Sequence, residues 1–291
     1  MTGQTPQASW TALCHVDGPT GAIYPGEESI KGIQHVKVML VPSSIATDGE
    51  EPSQYLISYQ INESIAIDAG SLGIHGSPSS QAKIKHVLIS HSHIDHTATL
   101  PIFVENAYEG KSDCVTIHGS QTVLESLRGD IFNDRTWPDF VALSEGNAPF
   151  LRLELLEPDR PVELEGVKIT PISVNHVVPT LGFLIEDSRS AVLIASDTGP
   201  TDILWDYANR APHLDAVFLE AAFPNAMTEL ANVSKHLTPA MFGLEVQKLK
   251  RKAAIVAVHI KARFRKEILR ELSGLQLEDL QIGQFGMTYE W

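Results

Sequence analysis

The sequence predicts an α/β protein of two packed sheets flanked by helices, and three observations carry that prediction. Strand-like runs fall into two clusters, with helical segments between and after them. Short apolar runs end in ligand-type residues, most densely at His91-Ser-His93-Ile-Asp95-His96, which follows Lys85-His-Val-Leu-Ile-Ser90. Finally, Ile65-Ala-Ile-Asp68-Ala-Gly70 is echoed by Ile194-Ala-Ser-Asp197-Thr-Gly199. Two half-domains of related design, each offering ligands from strand ends to one cleft, would produce that echo; so would chance.

The chain has 291 residues, a length that admits two domains but is common for a single α/β domain. Residues 1–32, rich in Gly, Pro, Thr and polar side chains, read as an extended arm that either stays free or packs on a partner subunit of a homodimer. Residues 33–291 read as one domain. His35 to Val41 is its first strand, Thr47 to Pro52 a loop by its turn residues, and Tyr55–Tyr59 and Ser64–Ile67 a strand pair around Asn62. Val87 to Ser90 is a short buried strand. Leu100–Glu109 is expected to be helical, Cys114–Ile117 a strand and Ser120–Leu127 a helix. The stretch from Asp130 to Asn147 is less regular and is broken by Trp137-Pro138. Leu151–Leu156, Val162–Glu165 and Val167–Val174 resemble antiparallel strands, and Leu181–Ile185 pairs naturally with Ala191–Ala195. Ile255–Val258 is a further strand; Thr238–Lys250 and Arg263–Leu272 are helices.

An apolar fraction of 43% suits a substantial core. No apolar run approaches the span of a bilayer, so no membrane partner is expected. The N-terminus lacks the basic and apolar regions of a secretory signal, and Cys14 and Cys114 match no metal or redox spacing. A cytoplasmic location is the expectation. The formal net charge is −14, whereas a protein that grips a long polyanion usually shows a basic patch. Basic residues do gather at Lys248, Lys250, Arg251 and Lys252, then Lys261, Arg263, Arg265 and Lys266. They read as a solvated helix end and an adjoining helical face. Nucleic acid is therefore not the expected partner; a small substrate whose charge is met inside the site is.

Three imidazoles and a carboxylate within six residues is dense metal-ligand chemistry. Alternation puts His91 and His93 on one side, facing one ion, while Asp95 and His96 follow after a turn and reach a second. The alternative is a solvated histidine-rich loop. The hexapeptide resembles the His-x-His-x-Asp-His signature of the metallo-β-lactamase superfamily of binuclear metal hydrolases. That family also needs a later His, a bridging Asp and a final His, each at a strand end. His176 closes the run from Val167 to Asn175, Asp197 the run from Ala191 to Ser196, and His259 the run from Ile255 to Val258. The resemblance thus extends from about Val36 onward.

It implies a four-layer αβ/βα sandwich, two mixed sheets flanked by helices with the metal site at the rim. It implies two divalent metal ions, one held by His91, His93 and His176 and the other by Asp95, His96 and His259, with Asp197 bridging. Nitrogen and oxygen ligation suits zinc first, with manganese or iron also compatible. Asp68 looks like the family's buried carboxylate that orients a ligating loop; the alternative is an ordinary strand-end Asp. Glu220 and His236 resemble the Glu and His that act together in phosphodiesterase branches, joining Asp95 among the catalytic residues. A leaving alkoxide needs a proton, and a carboxylate beside an imidazole keeps that imidazole charged. His236 could otherwise be decoration ahead of the helix start at Thr238-Pro239.

Ser196-Asp-Thr-Gly-Pro200, Glu220-Ala-Ala-Phe-Pro-Asn225, Lys235-His-Leu-Thr-Pro239 and Val258-His-Ile-Lys261 together look most like the class II cyclic nucleotide phosphodiesterases. The implied substrate is a 3′,5′-cyclic nucleotide opened to the 5′-nucleotide, with Asn225 and Lys261 as substrate contacts. A tRNA 3′-processing endonuclease shares the Glu–His pair but should carry a Gly-rich, basic arm. A thioester or lactone hydrolase shares the metal ligands but has little use for His236. A non-catalytic binding scaffold would be expected to lose ligands.

Overall fold

The computed structural model describes residues 35–44 and 54–291. The arm expected over 1–32 and the loop expected over 47–52 lie outside these described residues. In the first half, β1 (Val38–Leu40), β2 (Tyr59–Ile61) and β3 (Ile65–Ile67) run antiparallel. From β3, the strands β4 (His86–Ile89), β5 (Val115–Gly119) and β6 (Leu151–Leu155) continue in parallel. The second half repeats the plan. Its antiparallel strands are β7 (Val162–Leu164), β8 (Val167–Val174), β9 (Thr180–Glu186) and β10 (Ala191–Ile194). Parallel to β10 follow β11 (Leu214–Glu220), β12 (Ala254–Val258) and β13 (Leu280–Ile282). The last strand, β14 (Thr288–Tyr289), returns to the first sheet and pairs antiparallel with β1.

Among the described residues these make two seven-stranded sheets, ordered β14-β1-β2-β3-β4-β5-β6 and β13-β12-β11-β10-β9-β8-β7. Each sheet switches from antiparallel to parallel at one strand, β3 in the first and β10 in the second. Those are the two strands that lead into Asp68 and Asp197, so the sequence echo marks equivalent positions in two sheets of one plan. Ligands in α/β sheets gather beyond carboxyl ends of strands where the topology switches, and both aspartates stand there.

Helices α1 (Pro78–Gln81), α2 (Ile94–Thr97), α3 (Leu100–Ala107) and α4 (Gln121–Ser126) belong to the first half. In the second half lie α5 (Ile203–Arg210), α6 (Thr228–Ser234), α7 (Pro239–Val246) and α8 (Arg265–Ser273). Alternation along the strands separates the layers. On β4, Leu88 joins Tyr59, Phe183 and Phe218 between the sheets, whereas Val87 and Ile89 pack outward with Leu100 and Phe103 of α3. On β10, Val192 and Ile194 point inward, while Leu193 packs with Leu204 and Trp205 of α5. Strands buried on both faces must be apolar throughout, which is why these runs read as continuous rather than alternating.

Several expectations are corrected. The run at 151–156 is not antiparallel to those that follow it. As β6 it pairs in parallel with β5, and the chain crosses to the second sheet before β7. The strand expected at Tyr55–Tyr59 enters the β2 ladder only at Tyr59. Its earlier backbone serves the motif loop instead, with the Ile57 N–H donating to the Asp95 carbonyl at 2.8 Å. Helix α7 stops at Val246, short of Lys250, where the backbone tightens so that the Lys248 and Leu249 N–H groups donate to the Glu245 and Val246 carbonyls, and the Lys248 ammonium folds back to Glu245 (2.7 Å) and the Thr201 carbonyl (2.9 Å). The basic run is thus partly consumed locally. β11, α5 and α6 were not expected; at the head of β11 an acidic residue, Asp215, interrupts the apolar run, and its carboxylate accepts from the Ala191 N–H at 3.1 Å.

Gly70 locks the two halves of the first ligand region together. A Cβ there would sit 1.9 Å from the Asp95 carbonyl oxygen and 2.6 Å from the Ile57 nitrogen. Only glycine lets the Asp68 turn approach α2 this closely.

Candidate metal centre

The hexapeptide leaves β4 in extended backbone and then turns into α2, so it offers donors from a strand end and from a helical turn. His91, His93, His176 and Asp197 form one set of donors, and Asp95, His96 and His259 a second; within each, the ligand atoms lie within 4.8 Å of one another. His91 Nε2 is 2.9 Å from His93 Nδ1, and His176 Nε2 is 3.4 Å from that same nitrogen. Asp95 Oδ2 stands 3.9 Å from both His96 Nε2 and His259 Nε2. Asp197 lies between the sets. Its Oδ2 is 3.9 Å from His91 Nε2 and 3.1 Å from His259 Nε2, and its Oδ1 is 3.4 Å from His96 Nε2. The structure brings together all seven residues read as ligands.

Backbone strain marks the loops that carry them. Asp68 (φ 59), Ser196 (φ 55) and His259 (φ 50) adopt left-handed conformations without being glycine. Each costs on the order of 1 kcal/mol and persists because hydrogen bonds over-determine the turn. For His259 that bond is its own N–H donating to Gln54 Oε1 at 2.8 Å.

The second nitrogen of three histidines is tied down, which fixes the one that faces the cluster. His96 Nδ1–H donates to Asp68 Oδ2 at 2.7 Å, and His176 Nδ1–H donates to the Lys235 carbonyl at 3.1 Å. The Ser90 hydroxyl donates to Asp68 Oδ2 at 2.8 Å, so it accepts from His91 Nδ1–H at 3.0 Å. Asp68 also accepts from the Ser90 N–H at 2.7 Å. It is a buried carboxylate that positions β4 and α2 together. Orienting partners of this kind are worth about 10–100-fold in metal affinity. Asp68→Asn, which cannot accept all three bonds, should weaken binding by about that factor in a chelator competition assay. Unchanged affinity would reduce Asp68 to a turn residue.

The electrostatics suit cations. Burial pushes His91, His93 and His176 below the usual imidazole value, so they are neutral with lone pairs available. Burial also opposes charge on His96, yet Asp197 and Asp68 on its two sides hold that imidazole well above its usual value. Asp197 is buried too, and His259 and His96 nevertheless keep its carboxyl well below the carboxylate range. One atom decides whether the residues fit a metal. His96 Nε2 is buried without a hydrogen-bond partner and faces Asp197 at 3.4 Å, and a bound cation would replace its proton and take its lone pair while Nδ1 stays engaged by Asp68. An unpartnered buried nitrogen is costly unless something else occupies its lone pair, and a cation does. The donor set is nitrogen and oxygen only, which fits a divalent transition metal.

Beside the cluster, His236 Nδ1–H donates to Glu220, at 2.8 Å from Oε1 and 3.0 Å from Oε2. Glu220 closes β11 and is buried, and it accepts from the Thr198 N–H at 2.7 Å and the Leu237 N–H at 3.3 Å. Because Thr198 follows Asp197, the Glu–His pair is tied to the metal-facing loop. The His236 ring stands 5.0 Å from that of His176 and 5.5 Å from that of His259. Lys261 holds its ammonium 5.3 Å over the Phe223 ring, and Phe223 in turn packs 5.6 Å from His236. The Asn225 side-chain oxygen accepts from the Ala240 N–H at 2.8 Å and so serves the first turn of α7. Elsewhere, on β5, His118 pairs with His86 at 3.0 Å, and burial pushes its pKa down to about 4.

The family model described as the beta-lactamase superfamily domain matches residues 66–260, which hold every ligand candidate. The chain belongs to the metallo-β-lactamase superfamily. A probable 3′,5′-cyclic-nucleotide phosphodiesterase of Yersinia pestis is 25% identical over 230 residues, covering 69% of this chain and 63% of that protein. The chain therefore matches less than two thirds of that relative's length. Unliganded yeast PDE1 superposes with a TM-score of 0.70 at 18% identity, covering 88% of this chain and 99% of that one. The short form of human tRNase Z superposes at 0.58 and 15% identity over 87% of this chain and 98% of that one. These likenesses establish the fold, a four-layer sandwich with two mixed sheets. Among the described residues, no helix is long and apolar enough to cross a membrane.

Ser90 and Gln54 were not anticipated as parts of the site. Ser90 was detectable as a polar residue ending a buried strand; Gln54 reaches His259 across 205 positions of sequence, which no local pattern encodes.

Proposed function

We propose that this metallo-β-lactamase superfamily hydrolase is a phosphodiesterase that opens 3′,5′-cyclic nucleotides to 5′-nucleotides. The observation that carries the reading is the buried Glu220–His236 pair set against the donor cluster. His91, His93 and His176 would hold one divalent ion, Asp95, His96 and His259 a second, and Asp197 would face both. Bound there, the ions would supply Lewis-acid neutralisation of a phosphate and an activated water.

The chain's own residues account for the rest. Glu220 takes Nδ1–H of His236, which leaves Nε2 as the working nitrogen. Burial alone would push this imidazole down; Glu220 outweighs it and holds the group above its usual value, so it is protonated and able to give a proton. The departing 3′ oxygen of a ribose is a poor leaving group and needs that proton. Acyl transfer from a thioester does not. Lys261, close enough to act on His236 electrostatically, adds an ammonium at the phosphate end of the cleft.

A second reading, an RNA-processing phosphodiesterase, is supported by a ribonuclease Z of Lactobacillus acidophilus, 27% identical over 114 residues. Cyclic AMP, cyclic GMP, a precursor tRNA, a thioester and a lactone, compared at matched enzyme and metal, separate the readings. Preferred turnover of a cyclic nucleotide is expected. Preferred cleavage of the tRNA, or of either acyl compound, would overturn the proposal.

A further inference from the structure

Four large apolar side chains are exposed on the segments that carry the donors. Ile94, inside the hexapeptide, is 71% exposed; Val177, next to His176, 49%; Val233, on α6, 77%; and Tyr55, next to Gln54, 62%. Scattered exposed apolar residues mean little, but contiguous ones around a polar cleft mark binding. The segments that carry these four meet round the opening. Gln54 pairs with Lys261, and Ile57 donates its N–H to the Asp95 carbonyl, which brings the segment that carries Tyr55 to the turn that carries Ile94. The rings of His93 and His176 lie 5.1 Å apart, which brings together the loops that carry Ile94 and Val177. The His176 carbonyl accepts from Lys235 Nζ at 3.0 Å, which brings in the end of α6 and with it Val233. The cluster opens on this side, since Asp95 and His93 are its half-exposed members, whereas His91 and His96 are buried.

We infer that Ile94, Val177, Val233 and Tyr55 form an apolar rim that binds the planar organic group of a phosphodiester while its phosphate enters the polar cleft. The inference rests on the phosphodiesterase reading and adds which residues receive the organic group of its substrate. The chemistry of the rim argues for that occupant over an RNA strand. A polyanion is gripped by a row of cations along its path, whereas here Lys235 is spent on a backbone carbonyl, and Lys261 over Phe223 is left for the phosphate of a single ester. Apolar and aromatic side chains instead offer a surface on which a base can stack, and stacking tolerates variation in the base.

The test compares bis(4-nitrophenyl) phosphate with methyl 4-nitrophenyl phosphate, which share a leaving group and differ in the retained one. The protein used is the full chain loaded with metal, and its partner in the assay is the triple variant Ile94→Ser, Val177→Ser, Val233→Ser. All three positions are exposed, so folding and metal content should be unchanged and are measured alongside. The variant should raise KM for the diaryl ester about tenfold, with kcat within about twofold, and move the methyl ester by less than about threefold. Equal shifts for both esters, or none, would overturn the rim while leaving the phosphodiesterase reading intact. A dimer that becomes monomeric in the variant with KM unchanged would make the surface a subunit contact and also overturn it. Failure of the wild-type protein to cleave either ester would sink the underlying reading, and the rim with it.

Discussion

Asp197→Ala is expected to remove metal from both donor sets at once and to lower phosphodiester turnover on the order of 10³-fold or more. The reasoning is geometric. Asp197 is the one residue whose two oxygens face His96 on one side and His91 and His259 on the other. Its carboxylate also offsets the charge that His96 carries when no cation is present. His259→Ala removes a donor from the second set alone, so about one ion per chain should remain. Elemental analysis after reconstitution with zinc or manganese reads the difference directly. Two ions retained by Asp197→Ala would show that the carboxylate is not shared, and a wild-type protein without metal would remove the proposed centre altogether. Circular dichroism separates either result from unfolding, since Asp197 is buried.

What made this site legible in the sequence was the local origin of most of its donors. Five of the seven follow the ends of apolar strands, with Asp95 and His96 in the helical turn after β4, and a buried strand ending in a polar ligand is visible in one dimension. The Asp68 and Asp197 echo was readable for the same reason, and the topology explains it as one switch strand per sheet. Pairing was less accessible. Leu151–Leu155 looks like a neighbour of the strands that follow it, and only tertiary packing assigns it to β5. β13 and β14 are short strands that exist because an exposed ladder edge recruits them, not because their own residues insist on it. Nor does a phrase show what its residues also do for the fold: the Asn225 oxygen accepts from a helix N–H at the start of α7, an acceptor's ordinary fate there.

His236→Ala should lower kcat on a cyclic nucleotide by about 10²–10⁴-fold while metal content holds. The imidazole meets the rings of His176 and His259 edge-on and lies 4.0 Å from Asp197 Oδ2, and Glu220 rather than a ligand takes its Nδ1–H. Losing it therefore removes a proton source and leaves the donors in place. On a nitrophenyl ester the loss should shrink, because that leaving group hardly needs a proton. The pH profile adds an independent reading. A general acid works while protonated, and Glu220 holds His236 above its ordinary value, so turnover should fall as pH rises through that raised pKa. Glu220→Gln removes the carboxylate and leaves burial dominant, which should draw this alkaline limb to lower pH. In His236→Ala the limb should vanish. Equal losses on the cyclic nucleotide and the nitrophenyl ester, with the limb unmoved by Glu220→Gln, would take the acid role from His236 and leave it a phosphate contact held in place by Glu220.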